Sequence, residues 1–332
     1  MLTRRSLCAA VAAATLLAPC LPAAAQEKVV VYTSNDATLN RYIFDAFKKE
    51  TGIEVEPVEA GSGVIFRRAQ SEKERPLGDI VWGVSRSLLN ANKNVLTPYA
   101  SVNKAAVPEE FRDPNDLWIG TNVHLLVILQ NTKQLPEAEG PKSWADLLDP
   151  KWKGKIAFTD PSNSGSSYSN ATLLLQMWGD SGWEKLGKLF SNTKILNRSS
   201  LVFQGVGNGE FPLGISLEYA GYQWASNGAP VKVIYPSDGT ATQMEGVAII
   251  KGGPHTENAK KFVDYVTRKD VREAILKLAF RRPARGDLDL ENLPGKMPHL
   301  SKIKVFPYDE QGWTDKRPET LKKLQELIRQ TR

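Results

Sequence analysis

Cysteine is nearly absent from this sequence. The 332 residues include two cysteines, Cys8 and Cys20, and three histidines. Both cysteines lie in residues 1–25, which we expect to be removed, so the mature chain would have no disulfide, zinc-thiolate site or cysteine nucleophile. Dense Lys/Arg stripes with interleaved aromatic residues are also missing, which argues against nucleic acid as a partner.

Residues 1–25 have the pattern of an export signal. Arg4 and Arg5 precede an apolar run over residues 7–21, and small residues then offer a cleavage site near Ala25. The apolar run is too short to span a bilayer as a permanent anchor. Because the arginines are paired, the twin-arginine route and the general secretion route both stay open. The sequence therefore predicts an exported protein.

Apolar strands alternate with amphipathic helices along the rest of the chain. Residues 28–32 form a β-branched run, residues 39–51 have apolar side chains at helical spacing, and residues 53–58 alternate as a strand. The alternation continues past the middle of the chain without a long linker. This order predicts an α/β fold in which mostly parallel sheets are flanked by helices. Residues 123–130 and 245–250 are the candidates for strands that cross between two domains.

A hydroxyl-rich loop precedes one of the predicted helices. Residues 159–167 contain five hydroxyl side chains and one glycine just where the helical pattern begins. The start of a helix has unpaired N–H groups and a partial positive charge, so a loop there can bind an anion. Capping the helix needs only one hydroxyl. We interpret Ser164, Gly165, Ser166 and Ser167 as an anion-binding loop, with simple capping as the alternative.

Two other junctions between a strand and a helix have a similar composition. Ser34 and Asp36 occupy the first, and Ser62 and Gly63 occupy the second. Each alone would be an ordinary turn. Three such loops at the carboxyl ends of parallel strands match the place where α/β sheets bind ligands. We therefore expect the three loops to converge on one cleft.

Further polar side chains follow the predicted strands and complete this candidate cleft. An arginine can hold two oxygens of a phosphate or carboxylate, and an acidic residue can neutralise an ammonium group. Simple exposure to solvent is the alternative for each of them. The additional candidates are Ser85, Arg86, Arg198, Ser199, Glu218, Tyr219, Gln243 and Glu245.

Catalytic motifs are missing from the sequence. None of the three histidines has a Ser or Asp partner in a recognisable triad setting, and no His-Glu-x-x-His, Walker or Gly-x-Gly-x-x-Gly motif occurs. A nucleophile elbow at Ser164 would need glycine at positions 162 and 166, and both are Ser. We predict that the protein is not an enzyme; a secreted enzyme acting on phosphate esters is the remaining alternative in this class.

Several segments together carry a family resemblance. The chain resembles the periplasmic substrate-binding proteins of ABC importers, in the branch that contains ferric-iron, sugar-phosphate and phosphonate binders. The resemblance implies two α/β lobes, joined by crossing strands, that close on a solute in the cleft. The segments that carry it are residues 30–34, 47–53, 78–82, 144–147, 151–156, 209–210, 246–252 and 258–264.

The resemblance also implies an organisation, a location and partners. It places lobe 1 at residues 26–122, lobe 2 at residues 123–244, and a return to lobe 1 at residues 245–332. The protein would act in the periplasm as a monomer without a cofactor. Its partners would be a small anionic solute and the membrane permease of an ABC importer.

The ligand implied by the resemblance is an oxyanion of phosphorus. Iron binders of this branch use a His, a Glu and adjacent tyrosines, whereas here Asp36 and Val84 stand at the first two positions and Tyr219 is followed by Ala220. Ferric iron, which prefers several anionic oxygens, is the alternative ligand. The loop at Ser164 matches the anion-holding loop of the iron and sugar-phosphate binders. We therefore predict a sugar phosphate or an aminoalkylphosphonate as the solute, and no bound metal.

Overall fold

The computed structural model of this protein describes residues 27–331, so the predicted export signal lies outside the described residues. The strands are β1 (Lys28–Thr33), β2 (Glu54–Glu59), β3 (Ile80–Ser85), β4 (Leu96–Thr97), β5 (Ile119–Asn131), β6 (Ile156–Thr159), β7 (Thr193–Leu196), β8 (Leu213–Leu217), β9 (Val231–Ile234), β10 (Thr242–Ile250) and β11 (Arg282–Pro283). The helices are α1 (Ala37–Thr51), α2 (Ser62–Ser71), α3 (Arg86–Ala91), α4 (Gly165–Trp178), α5 (Gly182–Asn192), α6 (Ser199–Gly207), α7 (Glu218–Ser226), α8 (Thr256–Thr267), α9 (Lys269–Ala279), α10 (Glu310–Asp315) and α11 (Arg317–Gln330). Within this part of the chain, no helix has the length and apolar character needed to cross a membrane.

The local sequence determines where helix α1 begins and ends and which of its faces is buried. The Leu39 N–H donates to the Asp36 side chain over 3.0 Å, which caps the amino end of the helix. Gly52 ends the helix with a left-handed φ of 75°, and its N–H donates to the Lys48 carbonyl. Leu39 and Ile43 lie one turn apart and are both buried, so one face of α1 packs on the sheet. Asp36 is thereby held at the carboxyl end of β1.

The strands follow the order β2-β1-β3-β10-β5-β8-β6-β7. In the first half, β1 pairs in parallel with β2 and β3, and β10 runs antiparallel to β3. In the second half, β6 pairs in parallel with β7 and β8. Helices flank both halves, which confirms the predicted α/β architecture of two lobes.

Strand β5 belongs to both lobes. Its residues 119–125 pair with β10, and its residues 126–131 pair with β8 and β9. All of its side chains are buried, as expected for a strand that lies between neighbours and under helices. Strand β5 therefore connects the lobes, as predicted for residues 123–130, whereas residues 245–250 of β10 pair within the first half of the sheet.

The last helix, α11, returns to the second lobe. Leu324 and Ile328 of α11 belong to the same hydrophobic core as Leu189 of α5. The predicted assignment of residues 245–332 to lobe 1 differs from this packing at its carboxyl end. The reason is that α11, although mostly polar, has an apolar stripe on one face, and this stripe packs against the core of lobe 2.

Candidate functional site

A cavity of about 210 Å³ lies between the two lobes. Helices α1, α2, α3, α4 and α6 all begin at it. The residues at the amino-terminal cap positions of these helices are lining residues: Asp36, Gly61, Ser85, Ser164 and Arg198. Because the amino end of a helix carries a partial positive charge, the four longer helices favour an anion here. The other lining residues are Ser34, Asn35, Ala37, Glu59, Ala60, Ser62, Ser166, Ser199, Ser200, Phe203, Gln204, Leu217, Tyr219, Gln243 and Glu245.

Most of the predicted binding residues line this cavity. They are Ser34, Asp36, Ser62, Ser85, Ser164, Ser166, Arg198, Ser199, Tyr219, Gln243 and Glu245. They come from both lobes, so the fold brings together loops that are far apart in the sequence. The predicted residues that do not line it are Gly63, Arg86, Gly165, Ser167 and Glu218.

Three serine hydroxyls of lobe 2 meet at one wall of the cavity. Ser164 Oγ lies 2.7 Å from Ser199 Oγ and 3.0 Å from Ser166 Oγ, so α4 and α6 present their first turns together. Ser164 Oγ also accepts a hydrogen bond from the Ser167 N–H at 3.2 Å. The Ser167 amide is thus used in capping α4, and Ser167 is not among the residues that line the cavity. The hydroxyl of Ser164 serves both as a cap and as a wall of the cavity.

Arg198 is the cationic group on the same wall. It lines the cavity, is exposed, and forms no ion pair with an acidic residue in the described part of the chain. The Ser166 N–H, in the first turn of α4, finds no acceptor among residues 27–331. A guanidinium, an open amide and clustered hydroxyls are all donors that suit an oxyanion.

The lobes touch along one side of the cavity. The Gly63 N–H donates to the Asn163 carbonyl over 3.1 Å, and the Gly165 N–H donates to Ser62 Oγ over 3.0 Å. Arg67 adds two hydrogen bonds to residues 162 and 163, at 2.8 and 2.9 Å. Gly63 and Gly165 are therefore used in contact between the lobes rather than in lining the cavity. We call these contacts, made by residues 61–67 with residues 162–165, the interlobe seam.

Arg86 and Glu218 are withdrawn from the cavity by ion pairs. Arg86 Nε donates to Glu310 of α10 over 2.8 Å. Glu218 is 1 % exposed. Arg282 donates two hydrogen bonds to its carboxylate, from Nε at 2.7 Å and from Nη2 at 2.8 Å. Tyr235 Oη also donates to Glu218. Both side chains are thus committed to structural partners.

The acidic side of the cavity is neutralised by one buried arginine. Arg281 Nη2 lies 3.2 Å from Asp36, and Arg281 Nη1 lies 3.2 Å from Glu245. Glu245 also lies 2.9 Å from His124 Nε2. Burial acts to raise the pKa of Glu245, but His124 and Arg281 together lower it below its usual value. The Arg281 guanidinium stacks 3.9 Å from the centre of the Tyr219 ring, which fixes both groups.

Several lining residues were not identified from the sequence. Asn35 follows β1, Glu59 ends β2, and Phe203 and Gln204 lie on α6. The rule that ligands bind at strand ends would have found Glu59, since β2 stops there. Phe203 and Gln204 have no such signal, because their positions depend on which face of α6 meets the cleft.

The donors at this cavity do not fit ferric iron. Val84, at the position that is acidic in the iron-binding branch, is fully buried and apolar. Burial raises the pKa of the Tyr219 phenol, which opposes the tyrosinate form that ferric iron binds. Among the residues that the structure describes, no group of three or more His, Cys, Asp or Glu side chains could hold a metal ion.

We expect no visible absorption band beyond that of ferric citrate itself when ferric citrate is added to the protein. Burial raises the pKa of Tyr219, and its acidic neighbours Asp36 and Glu245 are paired with Arg281, so no tyrosinate charge-transfer band should form. The measurement is the visible absorption spectrum of the protein titrated with ferric citrate. A band that appears in the parent protein and disappears in Tyr219→Phe would show that iron binds here.

Comparisons with known proteins agree with this architecture. A family model described as bacterial extracellular solute-binding protein matches residues 76–310. A protein of Salmonella typhimurium described as a candidate 2-aminoethylphosphonate-binding periplasmic protein is 26 % identical, covering 80 % of this chain and 82 % of that protein. An Fe(3+)-binding periplasmic protein of Serratia marcescens is 25 % identical, covering 76 % and 77 %.

A solved structure shares the whole fold. The periplasmic binding protein AfuA from Actinobacillus pleuropneumoniae, with fructose-6-phosphate bound, superposes with a TM-score of 0.85 at 25 % identity. The match covers 92 % of this chain and 99 % of that one. The two-lobe architecture is thus that of the periplasmic binding proteins.

Proposed function

This chain belongs to the family of bacterial extracellular solute-binding proteins, and we propose that its solute is a small phosphoryl or phosphonate anion held in the cavity between the lobes. The family consists of binding proteins that work with ABC permeases. The protein would deliver its solute to the membrane permease of an ABC importer. The periplasmic relatives support a periplasmic location.

The observation that carries the proposal is the donor set on the lobe 2 wall. Ser164, Ser166 and Ser199 place three hydroxyls together where α4 and α6 begin, and Arg198 stands beside them without an acidic partner among residues 27–331. Phosphorus oxyanions present three oxygens, which match hydroxyls, helix amides and a guanidinium. Of the acidic groups on the opposite side, Asp36 and Glu245 are paired with Arg281, so their negative charges oppose an anion less.

Closure of the lobes would strengthen this binding. The interlobe seam brings lobe 1 against the loop that precedes α4, and it excludes water from one side of the cavity. Hydrogen bonds between ions and their partners are stronger where water is excluded.

Relatives named for phosphonate, sugar phosphate and ferric iron share this fold. The donor set of this chain favours the phosphorus compounds.

Arg198→Gln is expected to weaken the binding of phosphorus oxyanions by roughly 10- to 100-fold. A charge-assisted hydrogen bond is worth about 1.5–3 kcal/mol, and each 1.4 kcal/mol changes affinity tenfold. Isothermal titration calorimetry with 2-aminoethylphosphonate, fructose 6-phosphate and inorganic phosphate measures the effect. Arg329→Gln is the control, because Arg329 is exposed on α11 and does not line the cavity. Binding of carboxylates or amines, with no response to any phosphorus oxyanion, would refute the proposal.

A further inference from the structure

Glu59 differs from the other carboxylates of the cavity because no cation pairs with it. Three carboxylates line the cavity, and two of them, Asp36 and Glu245, lie 3.2 Å from Arg281. Glu59 forms no ion pair with a Lys, Arg or His in the described chain. Glu59 is exposed, so its negative charge is open to solvent and to a ligand from outside the protein.

The carboxylate of Glu59 is held in place by a buried amide. Asn40 Nδ2 donates to Glu59 Oε1 over 2.7 Å, and Asn40 is only 2 % exposed. Asn40 Oδ1 in turn accepts from Thr33 Oγ1 at 3.3 Å. Thr33 and Glu59 are register partners at the carboxyl ends of β1 and β2. A carboxylate fixed from behind by a buried hydrogen-bonded chain is preorganised for a ligand.

The unpaired charges of the cavity have opposite signs and lie on opposite lobes. Glu59 supplies the negative charge on lobe 1, and Arg198 supplies the positive charge on lobe 2. A sugar phosphate would pair with Arg198 and would offer no cation to Glu59. A ligand with an oxyanion at one end and an ammonium at the other would satisfy both.

Resting on the proposed function, we infer that Glu59 binds the ammonium group of a zwitterionic solute, with Asn40 as its positioning residue. The solute class is then an aminoalkylphosphonate or aminoalkyl phosphate rather than a sugar phosphate. Glu59 would be the residue that determines this specificity, while the lobe 2 wall binds the phosphorus oxyanion.

A matched pair of ligands tests the inference. 2-Aminoethylphosphonate and ethylphosphonate differ only by the amino group, and their affinities are measured by calorimetry for the parent protein and for Glu59→Gln. The parent is expected to prefer the amino compound by about tenfold or more, the effect of one charge-assisted contact. Glu59→Gln keeps an oxygen acceptor for Asn40, so it should abolish this preference, and because it removes a negative charge from the cavity it should not weaken ethylphosphonate binding.

Glu56→Gln provides the matched control on the same strand. Glu56 pairs with Lys28 at the exposed surface over 3.1 Å and does not line the cavity, so its loss should leave both affinities unchanged. If the parent binds both phosphonates equally, or binds fructose 6-phosphate more tightly than the amino compound, the role of Glu59 is refuted and the proposed function stands. If no phosphorus oxyanion binds at all, the proposed function itself is refuted.

Discussion

Gly63→Ala is expected to weaken ligand affinity by about 100- to 10 000-fold and to leave the protein folded. A Cβ at Gly63 would lie 2.2 Å from the carbonyl oxygen of Ser162, a backbone atom on the opposite lobe. The lobes could then not close as they do here. Loss of two charge-assisted hydrogen bonds between ligand and one lobe, about 1.5–3 kcal/mol each, gives the stated range.

The stability of this variant separates a closure defect from a folding defect. Gly63 lies in the first turn of α2 without a left-handed φ, and alanine favours a helix over glycine by up to about 1 kcal/mol. Its melting temperature should therefore not fall. Gly286→Ala is the control, because a Cβ there would meet Pro108 at an ordinary 3.5 Å. Calorimetry with 2-aminoethylphosphonate that shows an unchanged Kd for Gly63→Ala would mean that the interlobe seam is not part of the bound state.

Glu218→Gln is expected to lower the free energy of unfolding by about 3–5 kcal/mol. Glu218 and Arg282 are both at most 2 % exposed, and removing one charge of a buried pair leaves the other uncompensated. Urea denaturation followed by circular dichroism measures the change. Since Glu218 does not line the cavity, the affinity of the folded variant for 2-aminoethylphosphonate should stay that of the parent.

Two comparisons define the contribution of this ion pair. Glu56→Gln breaks an exposed ion pair with Lys28 and should cost less than about 1 kcal/mol. The double variant Glu218→Met with Arg282→Met removes both charges and should recover most of the lost stability, because apolar side chains can replace a buried pair. A Glu218→Gln variant as stable as Glu56→Gln would contradict the structural role.

The sequence was sufficient for the fold and for the main loops of the candidate site, for reasons that are local. Apolar periodicity and turn residues fix strands and helices, and the serines near α4 stand where a helix begins. The partners of Arg86 and Glu218 could not be predicted in this way. Glu310 lies 224 positions from Arg86, and Arg282 lies 64 positions from Glu218. Only tertiary packing brings them together.

Glu59 and the interlobe seam are two other features that could not be predicted from the sequence. In the sequence, Glu59 is one of three acidic residues in β2, and little besides its place at the end of the strand marks it as a binding residue. Gly63 reads as a flexible loop residue, yet the structure uses its missing side chain to bring two backbones together. Both features depend on what the opposite lobe presents, which local patterns do not encode.

The position of α10 constrains how the cleft can open. Tyr168 Oη donates to the Trp313 carbonyl over 2.6 Å and ties α10 to lobe 2, while Glu310 ties it to Arg86 of lobe 1. Helix α10 thus contacts both lobes, in addition to the connection that β5 makes between them. Contacts at two separate places restrict the rotation of one lobe relative to the other. Widening of the cleft would therefore break the Arg86–Glu310 ion pair or carry α10 along with one lobe.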